Sequence, residues 1–280
     1  MANIVEQFIQ NIRGLSQKSP EELQEIAASQ ERKEAINARS GDNIRFYGGT
    51  NPGKEYSDVL ADAIKFYQTE FKMTPHATIA NDPDALWNDN VLGEATIYPD
   101  ETGQYSIDFR HLSDKDVKEG EEVAKIGEVT GSHPKNSGDI RSTPIHEFGH
   151  ALFGTLFPPD DTSSNRKGEY YEGEFYPVLA DDLYWDALND IGIEDDDIEK
   201  QEEKTREISG YAWANPAETV AESLVDYYYN RDEAAPLSRA IVNRLKNAGS
   251  MYGIRQTGGF DLDPSASNFM KNLRRYRVIQ

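Results

Sequence analysis

The string Thr143-Pro144-Ile145-His146-Glu147-Phe148-Gly149-His150-Ala151-Leu152 constrains this chain more than any other part of it. It contains H-E-x-x-H. On a helix, positions i and i+4 share a face, so both imidazoles can reach one ion. Glu147 stands beside them, placed to take a proton from a water activated by that ion. Thr143 can cap such a helix and Pro144 suits its first position. Ile145, Ala151, Leu152 and Phe153 give the helix an apolar surround, as a buried site helix needs. With only five His in 280 residues, chance would produce the pattern in roughly 1% of such chains. The chain has no Cys. That removes disulfides, Cys zinc sites, iron–sulfur clusters and thiol catalysis, and leaves His, Asp and Glu as the available metal ligands.

Two imidazoles do not hold a catalytic zinc; a third protein ligand is required. The metzincin pattern would place Gly at 153 and His at 156, where this chain has Phe153 and Leu156. His76, His111 and His133 lie upstream and are expected to be surface or hydrogen-bonding histidines. The stronger candidate is downstream, in Ser209-Gly210-Tyr211-Ala212-Trp213-Ala214-Asn215-Pro216-Ala217-Glu218-Thr219-Val220-Ala221-Glu222. Asn215-Pro216 opens a helix on which Glu218 and Glu222 lie one turn apart. Their face borders the apolar stripe of Ala221, Leu224, Val225 and Tyr228. A carboxylate pair aimed near a core is expensive without a cation or hydrogen bonds. An ion held by two imidazoles supplies both, with Glu218 as ligand and Glu222 behind, accepting a proton from a ligand imidazole. A competing reading is local: N-x-x-E is also a capping box, in which Glu218 folds back on Asn215.

HEFGHAL followed by YAWANPAETVAE resembles the gluzincin branch of the zincin metallopeptidases. The likeness is greatest to the group of toxin-like and phage-encoded peptidases that includes the catalytic domain of anthrax lethal factor. Tyr211, Glu218 and Glu222 stand at the Tyr-x6-Glu-x3-Glu intervals of that group. The resemblance implies a zinc ion held by His146, His150 and Glu218, with Glu147 as general base. Tyr211 would donate a hydrogen bond to the developing oxyanion, although in a chain with fifteen Tyr a core aromatic is the plainer alternative. It implies an α+β, zincin-like fold: a small twisted sheet against the H-E-x-x-H helix, with a mostly helical C-terminal half. The activity implied is zinc-dependent endopeptidase hydrolysis by a metal-activated water, on a protein or peptide substrate. The motifs cover only residues 143–155 and 208–229. The 67 residues between His150 and Glu218 make a long gap, so 156–207 is expected to be an acidic insertion.

Elsewhere the pattern is coarser. Residues 1–40 form an expected helical arm, with Ser19-Pro20-Glu21-Glu22 as a helix start. Residues 41–280 would then be the catalytic domain, after a Gly- and Asn-rich linker at 40–54. A helix is expected over 55–72 and a β-hairpin over 91–98 and 104–110, around Asp100-Glu101-Thr102-Gly103. Residues 114–139 read as loop, 170–192 as one or two helices, and 194–207 as a solvated charged segment. Further helices are expected from Asn215 to Tyr229 and over 236–247.

There are 29 basic and 50 acidic side chains, a formal charge of −21. That argues against nucleic acid as a partner. No stretch is apolar enough to span a bilayer, and the N-terminus has no signal-like pattern. The protein is therefore expected in a cytoplasm, in a virion, or injected. The last forty residues are locally basic, so the arm and this tail are the candidate docking elements. Beside the peptidase stand three alternatives: a virion- or assembly-associated zincin domain, a toxin peptidase acting on a host protein, and a catalytically silent metal-binding domain. The presence of Glu147 speaks against the last.

Overall fold

A computed structural model describes residues 18–41, 43–46, 52–72, 74–75, 77–80, 93–99, 105–109, 114–156, 168–171, 174–194 and 196–256. His76 and His111, residues 1–17 of the arm and the tail beyond 256 lie outside them. The fold is α+β, mostly helical with a small mixed sheet.

Helix α1 (Pro20–Ser40) begins where expected. Ser19 Oγ accepts from Glu22 N, and the Glu22 carboxylate accepts from Ser19 N, a complete capping box. Gly41 closes it with a φ of 62°, a left-handed turn that favours glycine. Helix α2 (Lys54–Phe71) is the apolar centre of the N-terminal half. Tyr56, Leu60, Ala63, Ile64, Tyr67 and Phe71 recur at helical spacing and are buried. Ile36 of α1 joins the same core.

Three residues of the expected linker form strand β1 (Ile44–Phe46). Ile-Arg-Phe is too short for a period of two to show, yet Ile44 is fully buried. The sheet runs β1–β2–β4–β3, with β2 at Ala77–Ala80, β3 at Gly93–Pro99 and β4 at Tyr105–Phe109. The first three in that order are parallel, and β3 pairs antiparallel with β4 at the edge. The β3–β4 pair is the hairpin read from the sequence.

Helix α3 (Asp114–Thr130) replaces the loop expected over 114–139. In the sequence its glycines read as loop punctuation. They are instead part of its packed face: Val117, Gly120, Ala124 and Gly127 are buried at i, i+3, i+4 spacing, while Ile126 and Val129 face solvent. Small residues allow close approach, so an apolar count misjudges this helix.

Helix α4 (Ser142–Leu156) carries H-E-x-x-H. The expected helical stretch at 170–192 begins instead with a hairpin, β5 (Gly168–Tyr171) and β6 (Glu174–Pro177), before α5 (Val178–Asp190). Aromatic-rich Glu-Tyr-Tyr and Glu-Phe-Tyr favour strands. The charged segment is also helical, as α6 (Ile198–Arg206), with Asp197 capping Lys200 N and Gln201 and Thr205 buried. Its charges lie on the remaining face, which conceals a helix in the composition. Helix α7 (Pro216–Asn230) follows a 3₁₀ turn at Tyr211–Ala214. Helix α8 (Pro236–Gln256) runs past the end expected for it. Among the described residues, no helix is long and apolar enough to cross a membrane.

Candidate metal centre

The centre is built where α4, α7 and the edge strand β3 meet. Ile145, Phe148, Ala151, Leu152 and Phe153 of α4 are buried, so its polar positions cannot rotate away. Thr143 lies inside the helix rather than at its cap: Ser142 N and Thr143 N donate to Asp139 O and Ile140 O. The buried Tyr67 hydroxyl donates to Ile145 O. Gly149, the residue before the second His, sets how closely α4 meets α7. A Cβ there would lie 2.9 Å from Leu224 Cδ1 and 3.3 Å from Ala221 Cα. At the start of β3, a Cβ on Gly93 would lie 3.2 Å from Glu147 Oε1 and 3.0 Å from Thr143 Cγ2. The edge strand thus reaches the Glu147 carboxylate because position 93 has no side chain.

Helix α7 resolves the two readings of Glu218. Asn215 Oδ1 accepts from Glu218 N at 2.9 Å, so the cap exists. The Glu218 carboxylate does not fold back to complete the box. Its Oε2 stands 2.9 Å from His146 Nε2 and 3.5 Å from His150 Nε2. The two Nε2 atoms are 3.2 Å apart. One residue therefore caps with its backbone and faces the histidines with its carboxylate.

Glu222, one turn on, stands behind His146. Its Oε1 lies 2.8 Å from His146 Nδ1, and its Oε2 accepts from Ser209 Oγ at 2.7 Å. Ser209 Oγ accepts in turn from Ala212 N at 2.9 Å, and Thr219 Oγ1 donates to Ala212 O at 2.7 Å. These bonds tie the 3₁₀ turn to α7. Tyr211, on that turn, is 43% exposed. Its ring lies 6.0 Å from that of His146 at an interplanar angle of 29°. Tyr211 is a wall of the site and not a core aromatic.

His146, His150 and Glu218 can together hold a metal ion. Glu218 Oε2 supplies the test of fit. It is buried and has no hydrogen-bond partner among the described residues, although two imidazole nitrogens crowd it. A buried carboxylate oxygen in that condition calls for positive charge beside it, which a protonated His146 ring at 2.9 Å or an ion held by the three residues could supply. Electrostatics agree. Burial opposes ionisation of Glu218 and Glu222, but the histidines outweigh it, holding Glu218 far below the carboxylate range and Glu222 down to about 2. Burial also disfavours the charged His146 ring, yet Glu218 and Glu222 raise it well above its ordinary value. A proton on His146 and a divalent ion between the three ligands are alternative ways to neutralise the same carboxylates. Glu147 differs: burial lifts its carboxyl, against the pull of His146 and His150. Burial, then Glu218, push the Tyr211 hydroxyl far above the phenol range, so it remains a proton donor.

The residues singled out in sequence come together: His146, Glu147, His150, Tyr211, Glu218 and Glu222. Sequence reasoning missed Ser209 and Gly93. Ser209 lies only two residues before Tyr211, but a serine thirteen residues before Glu222 carries no spacing signal. Gly93 acts by lacking a side chain. Comparison with protein-family models, with curated proteins and with solved structures finds no match, and function is read from the site itself.

Proposed function

We propose that the chain is a zinc-dependent endopeptidase of the zincin type. One observation carries the reading: His146 Nε2, His150 Nε2 and Glu218 Oε2 are separated by 2.9, 3.2 and 3.5 Å. Three protein ligands at tetrahedral zinc distances stand about 3.3 Å from one another. Two imidazoles and one carboxylate, with a position left for water or substrate, are the donor set of a catalytic zinc. The edge strand β3 beside Glu147, antiparallel to its neighbour, further supports a zincin-like fold.

A zinc ion held there supplies Lewis acidity, which makes water nucleophilic near neutral pH and polarises a carbonyl. The chain's residues do the rest. Glu147 takes the proton from the attacking water and passes it to the leaving amine; its raised pKa suits both steps. Tyr211 directs its hydroxyl toward the developing oxyanion. Glu222 holds His146 by Nδ1, so that Nε2 faces the metal position.

Metal analysis of the purified protein, followed by profiling of cleavage sites across a proteome with and without a chelator, tests this. The expected result is about one zinc per chain and peptide cleavage that chelation stops and zinc restores. Protein that carries no divalent metal and cleaves nothing under zinc excess would overturn it.

A further inference from the structure

Glu222 has a third neighbour that the mechanism above does not use. His133 Nδ1 stands 3.6 Å from Glu222 Oε2, the same oxygen that Ser209 holds. The His133 ring also meets that of Tyr211 edge-on, with 6.3 Å between centroids. Both of these neighbours touch His146, Glu222 through its Nδ1 and Tyr211 over its ring.

The local chain is shaped to hold an imidazole at this point. A Cβ on Gly127 would lie 2.0 Å from His133 Cδ2, so α3 admits the ring only where it carries glycine. Ser132 N and His133 N both donate to Gly127 O, at 2.9 and 3.1 Å. Gly131, with a φ of 74°, turns the chain sharply enough to allow this. The same turn receives the residues on the other side of the site: Gly210 N donates to Gly131 O at 2.7 Å and Tyr211 N to Ser132 O at 3.1 Å. One turn therefore fixes the His133 ring and the backbone of Tyr211 together.

We infer that His133 is a positioning residue, which holds Glu222 and Tyr211 and through them the His146 imidazole that faces the metal position. It stands behind Glu222 rather than among the three ligand atoms. Without the ring, the Glu222 carboxylate keeps Ser209 at Oε2 and His146 at Oε1 but loses the neighbour that closes its third side, so its hold on His146 loosens. The consequence is graded. Direct partners of a metal ligand weaken binding by about 10–100-fold when removed, and His133, one contact further out, should give about 3–10-fold. The effect on metal rests on the zinc reading above; the effect on His146 does not.

The test compares full-length protein with His133→Ala and His133→Asn, whose amide places a donor near the Nδ1 position. Zinc affinity is measured by competition with a chromogenic chelator, kcat and KM on a cleaved peptide, and the imidazole resonances of the metal-free protein by NMR. The expected results for His133→Ala are a zinc Kd raised about 3–10-fold, a lowered kcat with KM little changed, and exchange broadening at His146. His133→Asn should recover most of each loss at an unchanged melting temperature. Unchanged zinc affinity together with unchanged His146 signals in His133→Ala would overturn the inference while leaving the peptidase reading intact. Equal losses in the Ala and Asn variants would overturn it too, since a hold through Nδ1 must respond to the donor. If the parent binds no metal but His133→Ala still releases His146, the zinc reading falls and the positioning role stands.

Discussion

Glu147 on α4 and Glu222 on α7 are both withdrawn from solvent, at 6% and 1% exposure, and both act on His146. Their surroundings differ. Glu222 is clasped by His146 and Ser209, with His133 beside it. Glu147 accepts no hydrogen bond from another described residue and lies against the bare backbone of Gly93. Burial acts on both, yet the histidines hold Glu222 down to about 2, while burial lifts Glu147 from its ordinary value. A carboxylate that must orient a ligand is best ionised and locked. One that must accept and return a proton is best poised and left unbonded.

The contrast is tested most severely at the residue between the two roles. Glu218→Ala should remove most of the bound metal and all measurable hydrolysis, because two imidazoles hold an ion far more weakly than three protein ligands. Metal content by mass spectrometry reads the first, and the zinc concentration needed to restore activity the second. Glu218→Ala protein with full metal occupancy would leave the orphaned Oε2 without its explanation.

Glu147→Gln separates the carboxylates directly. The amide is nearly isosteric and cannot take a proton, so hydrolysis should fall by about 10²–10⁴-fold. Metal content should not change, and thermal stability should hold or rise, since no hydrogen bond is lost and a buried charge is removed. Turnover at the parent rate would show that the poised carboxylate is not the base. Glu222→Ala should give the opposite signature. Zinc affinity should drop about 10–100-fold, with some hydrolysis recovered at high zinc and a lower melting temperature, because Ser209 and His146 lose their shared partner. A Glu222 variant that binds metal like the parent would break the comparison from its other side.

How much of this was legible in sequence follows from how each residue acts. His146, Glu147, His150, Glu218 and Glu222 sit on two helices at fixed intervals, and helical spacing converts those intervals into shared faces. Tyr211 came by resemblance to a known pattern. Gly93, Ser209 and His133 arrive from a strand and two turns, where no interval announces a meeting. The same division runs through the fold. Helix α2 declared itself by large apolar residues at helical spacing, and the β3–β4 hairpin by alternation around a turn. Helix α3 did not, because its packed face is built partly from Gly120 and Gly127, and α6 did not, because only Gln201 and Thr205 turn inward.

The smallest effect is at Asn215. The sequence offered cap and ligand as rival accounts of Glu218, and the structure assigns them to different atoms of that residue. Asn215 Oδ1 takes the Glu218 N–H, while the carboxylate faces the histidines. Asn215→Ala should therefore destabilise the protein by about 1 kcal/mol, the usual loss for an N-cap, through fraying of the first turn of α7. Pro216 at the first helical position still restrains that turn, so the Glu218 carboxylate should keep its place. Metal content and kcat should stay near the parent values while the denaturation midpoint moves. Glu202→Ala, which breaks only an exposed pair with Arg206, should be silent in every readout and serves as the control. Metal loss in Asn215→Ala comparable to that in Glu218→Ala would mean that the cap and the ligand cannot be separated. The metal-binding geometry would then depend on the start of α7 as a whole, and the contrast between a locked and a poised carboxylate would have to include the helix terminus that presents them.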